Sequence, residues 1–211
     1  MPKVLIGDKL SPAAVEIFHA RGIETVTKVG LNTEDLIKEI ADYDGLVVRS
    51  ACKPNADVIA AAKNLKVIGR AGIGVDNIDI KAATAKGVVV MNTPFGNAIT
   101  TAEHAIAMMF AAARQTPAAN AETQAGKWPK SGYMGIEVSY KTLGLIGCGN
   151  IGSRVAERAI GLKMKVVAYD PFLTEERAVE LGVEKVELED LLKRADVITL
   201  HVPLTDQTRN V

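Results

Sequence analysis

Residues 143–155 read LGLIGCGNIGSRV, and this stretch decides the fold. An apolar run ends at Ile146, and Gly147, Gly149 and Gly152 then spell G-x-G-x-x-G. NIGSRVAERAIGL follows with helical character, and KMKVVAYD after it reads as a strand ending in Asp170. The glycine pattern alone is a weak signal. Strand, glycine loop, helix, strand and a carboxylate about twenty residues on make it a strong one. Gly147 permits the tight turn, Gly149 lets backbone approach a pyrophosphate, and Gly152 lets the helix pack close to the strand. The amides and positive dipole end of that helix then face phosphate oxygens. Asp170 can accept hydrogen bonds from an adenosine ribose, and its charge repels a 2′-phosphate. The expected cofactor is therefore NAD rather than NADP.

Outward from this loop, short β-branched runs alternate with amphipathic ones. KVLIGD, DGLVVRS, LKVIGRAG and GVVVMNT read as strands. SPAAVEIFHARG, NTEDLIKEIADY, NADVIAAAKN and DIKAATAKG read as helices, with Ser11, Thr33, Asn55 and Asp79 near their starts as caps. Such alternation predicts a parallel sheet covered on both faces. NTPFGNAITTAEHAIAMMFAAARQ begins with a turn and becomes a long helix, with Ile99, Ala102, Ile106, Met109 and Phe110 at helical spacing. A loop, AGKWPKSGYMGIE, precedes the second alternation, which ends in a short strand near KVEL, the helix EDLLKRA and the strand DVITLHV. The fold class is α/β with two parallel-sheet domains. A flavodoxin-like substrate domain is expected over 1–93, and a Rossmann nucleotide-binding domain over 94–211, stopping after its fourth strand. That strand would present an apolar edge.

Composition narrows the function. The 211 residues carry 25 basic and 25 acidic side chains, which argues against a nucleic-acid footprint. No apolar run spans a membrane, and MPKVLIGDKL lacks the features of a signal peptide. Cys52 and Cys148 match no metal spacing and read as buried thiols in a reducing cytoplasm.

A second glycine-bearing stretch, AGIGVDNID, places Gly72 and Gly74 after a strand without a third glycine. By spacing alone it fits either an ordinary turn or a concavity of backbone amides that binds an anion. RSACK, GRAGIGVDNIDIKAATAKGVVVMNTPFGN, TAEHAIAMMFAAARQ, GKW, KTLGLIGCGNIGSRVA, YDP and TLHVPLT occur in order along essentially the whole chain. Together they resemble the NAD-dependent D-2-hydroxyacid dehydrogenases, and GRAGIGVDNID and MNTPFGN favour the branch that oxidises 3-phosphoglycerate for serine biosynthesis.

The resemblance implies roles for individual residues. Gly72, Ile73 and Gly74 would offer amides to the substrate carboxylate, with Ile73 also near the cofactor. Arg49 and Ser50 would contact the substrate, Arg49 at its phosphate, since a planar guanidinium binds oxyanions bidentately. An ion pair at a strand end is the lesser alternative for Arg49. Asn97 matches a substrate-side position and also suits a helix cap. Asn150 and Ile151 would lie in the pyrophosphate loop, and Val202 and Pro203 along the cofactor. Cys52 stands where relatives often have Thr. The cleft between the domains would hold NAD and substrate, and the long helix would either form a homodimer or homotetramer or serve as intramolecular core.

In the family, a His–Glu acid–base pair and a carbonyl-polarising Arg lie beyond the TLHVPLT segment, so no catalytic residue is expected within these 211 residues. Among the histidines, His19 reads as a surface residue, His104 as packing, and His201 as a strand-end residue near the cofactor. The chain is expected to be a fragment of a longer enzyme. Two alternatives remain open: a reductase of another small keto acid such as glyoxylate or hydroxypyruvate, and a non-catalytic NAD-sensing module.

Overall fold

The computed structural model describes every residue from Met1 to Val211. They form two compact units, Met1–Gly96 and Asn97–Val211. The first unit runs β1 (Lys3–Ile6), α1 (Pro12–Ala20), β2 (Glu24–Thr27), α2 (Thr33–Glu39), β3 (Gly45–Val48), α3 (Ala56–Ala61), β4 (Val67–Arg70), α4 (Ile80–Ala85) and β5 (Val89–Asn92). All five strands are parallel, in the order β2-β1-β3-β4-β5. This is the flavodoxin-like arrangement. Alternate residues of the strands, Leu5, Leu46, Val48 and Ile68, pack with Leu36, Val58, Ile59 and Ala83 from α2, α3 and α4. The opposite face is less covered: α1 buries no residue, and Val89 and Met91 are exposed.

The second unit runs α5 (Ala98–Ala113), α6 (Thr116–Gln124), β6 (Thr142–Ile146), α7 (Gly152–Gly161), β7 (Lys165–Tyr169), α8 (Glu175–Leu181), β8 (Glu184–Lys185), α9 (Leu188–Arg194) and β9 (Val197–Leu200). The parallel order β8-β7-β6-β9 is strands 3-2-1-4 of the dinucleotide fold. β6 is central, and its Leu143 and Leu145 pack with Val155, Ala156 and Ala159 of α7. Gly144 opens its other side to α9, because a Cβ there would lie 2.6 Å from Leu191 Cδ2 and 2.7 Å from Ala195 Cβ. β9 is an edge strand whose Ile198 and Leu200 are exposed.

Several local expectations are corrected. Asn32 rather than Thr33 caps α2, its side chain accepting from the Asp35 amide. Ser11 precedes α1 but makes no side-chain cap, and Pro12 fills the first helical position. Asn55 and Asp79 do cap α3 and α4. The long helix ends at Ala113, within the stretch read as helical, and beyond Gln115, whose φ of 52° is left-handed, the unassigned residues Thr116–Gln124 form a separate helix. Along α5, Ala102, Ile106 and Met109 join the core, whereas Ile99, Phe110 and His104 are exposed. No helix is long and apolar enough to cross a membrane.

Candidate functional site

The glycine loop joins β6 to α7, and each of its three glycines meets a different physical demand. Gly147 has φ +91°, a conformation that side chains disfavour, and a Cβ there would lie 2.7 Å from the His201 carbonyl oxygen. Gly152 opens α7 directly against the loop, where a Cβ would lie 2.1 Å from the Gly147 carbonyl oxygen. A Cβ on Gly149 would meet nothing within 4 Å, so that position borders open space through which a ligand can approach the backbone. The α7 N-terminus, with Asn150 and Ile151 leading into it, carries no side-chain cap, and its first-turn amides suit an anion.

Asp170 follows β7, beside this loop. Its Oδ2 accepts the Cys148 amide at 2.8 Å and its Oδ1 accepts the Phe172 amide at 2.8 Å. A carboxylate offers about four lone-pair sites, so each oxygen retains capacity for a ribose hydroxyl. The segment after β9 closes the third side. The His201 amide donates to the Ile146 carbonyl at 2.8 Å, and Val202 Cγ1 lies 2.7 Å from where a Gly147 Cβ would be. The Pro203 carbonyl accepts from Thr208 Oγ1 at 2.5 Å. Gly147, Gly149, Asn150, Ile151, Gly152, Asp170, Val202 and Pro203 thus gather at the carboxyl ends of β6, β7 and β9. That is where a sheet of this order takes a dinucleotide. The His201 imidazole pairs with Thr199 Oγ1 at 3.0 Å, and burial pushes its pKa down, so it is neutral near pH 7.

In the first unit, the loops after β3 and β4 lie on adjacent strands, with Val48 in register with Arg70. Arg49 and Ser50 are exposed at the end of β3. The 72–74 loop has its carbonyls tied back: Gly72 accepts from the Thr93 amide at 3.0 Å, and Ile73 from Asn92 Nδ2 at 2.8 Å. The Ile73 and Gly74 amides donate to nothing within the chain. Carbonyls held and amides free is the arrangement of an anion-binding concavity. Asn97 opens α5 in the second unit without a side-chain cap.

The structure adds residues that the sequence reading missed. Arg70, the last residue of β4, lays its guanidinium over the loop, and a Cβ on Gly72 would be 1.5 Å from Nη1. Its Nε is buried without a partner. Asn92 and Thr93 were read only as the end of a strand, yet they hold the loop's carbonyls. A basic residue before two closely spaced glycines was the available signal for Arg70. Nothing in the sequence pointed to Asn92.

Residues 106–211 match the NAD binding domain of the D-isomer specific 2-hydroxyacid dehydrogenases. The chain belongs to that family. D-3-phosphoglycerate dehydrogenase of Archaeoglobus fulgidus is 52% identical over 206 residues, 98% of this chain and 39% of that protein. The Rattus norvegicus protein of the same name is 48% identical over the same shares. This D-2-hydroxyacid dehydrogenase chain thus spans about 39% of the length of these curated relatives. Among solved structures, NAD+-bound 3-phosphoglycerate dehydrogenase of Entamoeba histolytica superposes with TM-score 0.80 at 38% identity, covering 98% of this chain and 64% of that one. A glyoxylate reductase from Paecilomyes thermophila superposes with TM-score 0.89 at 27% identity, covering 100% and 67%.

Proposed function

We propose that this chain supplies the substrate-binding unit and the NAD-binding domain of a D-3-phosphoglycerate dehydrogenase. The reaction is oxidation of 3-phosphoglycerate to 3-phosphohydroxypyruvate, a first step toward serine. NAD, when bound, accepts the hydride from C2 of the substrate. The chain's own residues bind and orient. The amides of Gly149 and of the first turn of α7 take the pyrophosphate, and Asp170 takes the ribose. The Ile73 and Gly74 amides take the substrate carboxylate, and Arg49, with Ser50 beside it, takes the phosphate. We assign the acid–base role to none of the three histidines. His19 bonds Thr25 at the surface, His104 is exposed, and His201 is paired with Thr199.

The observation that carries this reading is the Gly149 loop at the β6, β7 and β9 ends, open to a pyrophosphate and flanked by Asp170. The near-half identity to phosphoglycerate dehydrogenases along the chain supports the choice of substrate. The exposed Ile99, Met108 and Phe110 on α5 support a homodimer or homotetramer built on that helix. The two free, buried thiols suit the cytoplasm.

The test is calorimetry of 3-phosphoglycerate and of D-glycerate against the NAD-saturated chain. The phosphorylated acid should bind at least tenfold tighter, and Arg49→Ala should remove the difference, since charge-assisted bonds are worth about 1.5–3 kcal/mol. Equal affinities would favour the second reading, a reductase of unphosphorylated keto acids, which the glyoxylate reductase superposition supports. NAD binding with no affinity for either acid would favour an NAD-sensing module.

A further inference from the structure

The loop that presents Arg49 is held by two side chains from other parts of the first unit. Asp8, just after β1, is the one buried charged residue of the chain, 5% exposed. Its Oδ2 accepts the Arg49 amide at 2.6 Å and the Cys52 amide at 3.1 Å. From the other side, Asn77 Nδ2 donates to the Arg49 carbonyl at 2.8 Å and to the Cys52 carbonyl at 2.7 Å. The backbone N–H and C=O of both residues flanking Ser50 and Ala51 are therefore satisfied by one carboxylate and one carboxamide. The geometry fixes the orientation of the Asn77 amide, because only its nitrogen can face two carbonyls. Its Oδ1 is left buried without a partner. An idle buried acceptor is a cost the fold bears where the opposite end of the group is required. Gly7 completes the arrangement: a Cβ there would lie 3.0 Å from Cys52 Sγ, so β1 passes close beneath the loop.

We propose that Asp8 and Asn77 are positioning residues that set the backbone of the 49–52 loop and thereby aim Arg49 at the anionic end of the substrate. This rests on the proposed phosphorylated substrate only for what Arg49 meets. The clamp itself stands on the hydrogen bonds. Asp8 supplies a charged acceptor, which makes stronger bonds to amides than a neutral one. Asn77 lies three residues after Gly74, so it ties the 49–52 loop to the segment that follows the 72–74 amides.

The experiment pairs two readouts on the full 211-residue chain. The variant is Asn77→Asp, which keeps the shape but replaces the donor with an acceptor, and Asn77→Ser, which restores one donor, is its partial rescue. The first readout is amide hydrogen exchange. Asn77→Asp should speed exchange at Arg49 and Cys52 at least tenfold, leave the β4 amides unchanged and so show that the unit is folded; Asn77→Ser should fall between. Unchanged exchange at Arg49 and Cys52 would overturn the clamp. The second readout is 3-phosphoglycerate affinity in a cycle with Arg49→Ala. Losing two hydrogen bonds should weaken binding on the order of tenfold, and the same change in the Arg49→Ala background should add nothing. An equal loss in both backgrounds would overturn the aiming of Arg49. Faster loop exchange with no 3-phosphoglycerate binding by the wild-type chain would support the clamp and refute the substrate.

Discussion

Gly149 and Gly152 lie three residues apart in one motif, yet the same substitution should destabilise the fold at one and not at the other. In Gly152→Ala the new methyl would sit 2.1 Å from the Gly147 carbonyl oxygen, against about 3.4 Å for ordinary contact. The α7 N-terminus and the loop must therefore separate by roughly 1.3 Å, the difference of those distances. That movement pulls Val155, Ala156 and Ala159 away from β6, where all three are buried. Overpacking of this kind costs about 1–3 kcal/mol and should lower the second unit's thermal midpoint by several degrees. In Gly149→Ala the methyl meets nothing within 4 Å, so stability should change by less than about 0.5 kcal/mol. It occupies the space through which a pyrophosphate would approach, and a clash of only about 1.4 kcal/mol lowers affinity tenfold. Differential scanning calorimetry and NAD titration of both variants read the two effects separately. Gly152→Ala should be destabilised and bind poorly, and Gly149→Ala should be as stable as wild type and bind poorly. Wild-type NAD affinity in Gly149→Ala would show that no approach of ligand to backbone depends on that space.

Gly72→Ala would place a methyl 1.5 Å from Arg70 Nη1, the far end of a flexible side chain. The guanidinium should swing aside with little change in the melting temperature, while the affinity of the unit for inorganic phosphate, followed by calorimetry, falls. Leu145→Ala empties a fully buried site between β6 and α7 and should cost about 2–5 kcal/mol in urea unfolding. Burial pushes the Cys52 and Cys148 thiols up to about 11, reinforced by Asp8 and Asp170 respectively. The folded state therefore favours the protonated thiol. Its contribution is present below the unfolded value of 9.0 and is lost as pH rises toward 11. Thermal midpoints should fall across that window, and less steeply in a Cys52→Ala/Cys148→Ala chain.

Both sheets were legible in the sequence because their strands are nearly continuous β-branched runs and their crossovers have helical periodicity. The glycine loop was legible because Gly147, Gly149 and Gly152 each answer a local backbone demand that a spacing rule records. The separate helix after Gln115 was not read, although Pro117 near its start is the kind of residue that opens a new helix. The exposure of Ile99 and Phe110 was hidden because helical spacing shows that residues share a stripe, not that a partner covers it. The clamp on the Arg49 loop was invisible for a different reason. Asp8 and Asn77 are far from Arg49 in sequence, and only the parallel order β2-β1-β3-β4-β5 brings the loops after β1, β3 and β4 together.

Whether the β6, β7 and β9 ends of this chain form an NAD site is read by calorimetric titration of NAD and NADP into the 211-residue chain. NAD should bind saturably at one site and NADP at least tenfold more weakly, with a narrowed preference in Asp170→Asn, which lacks the charge that repels a 2′-phosphate. A folded chain that binds neither nucleotide, or that prefers NADP, would contradict an NAD site there.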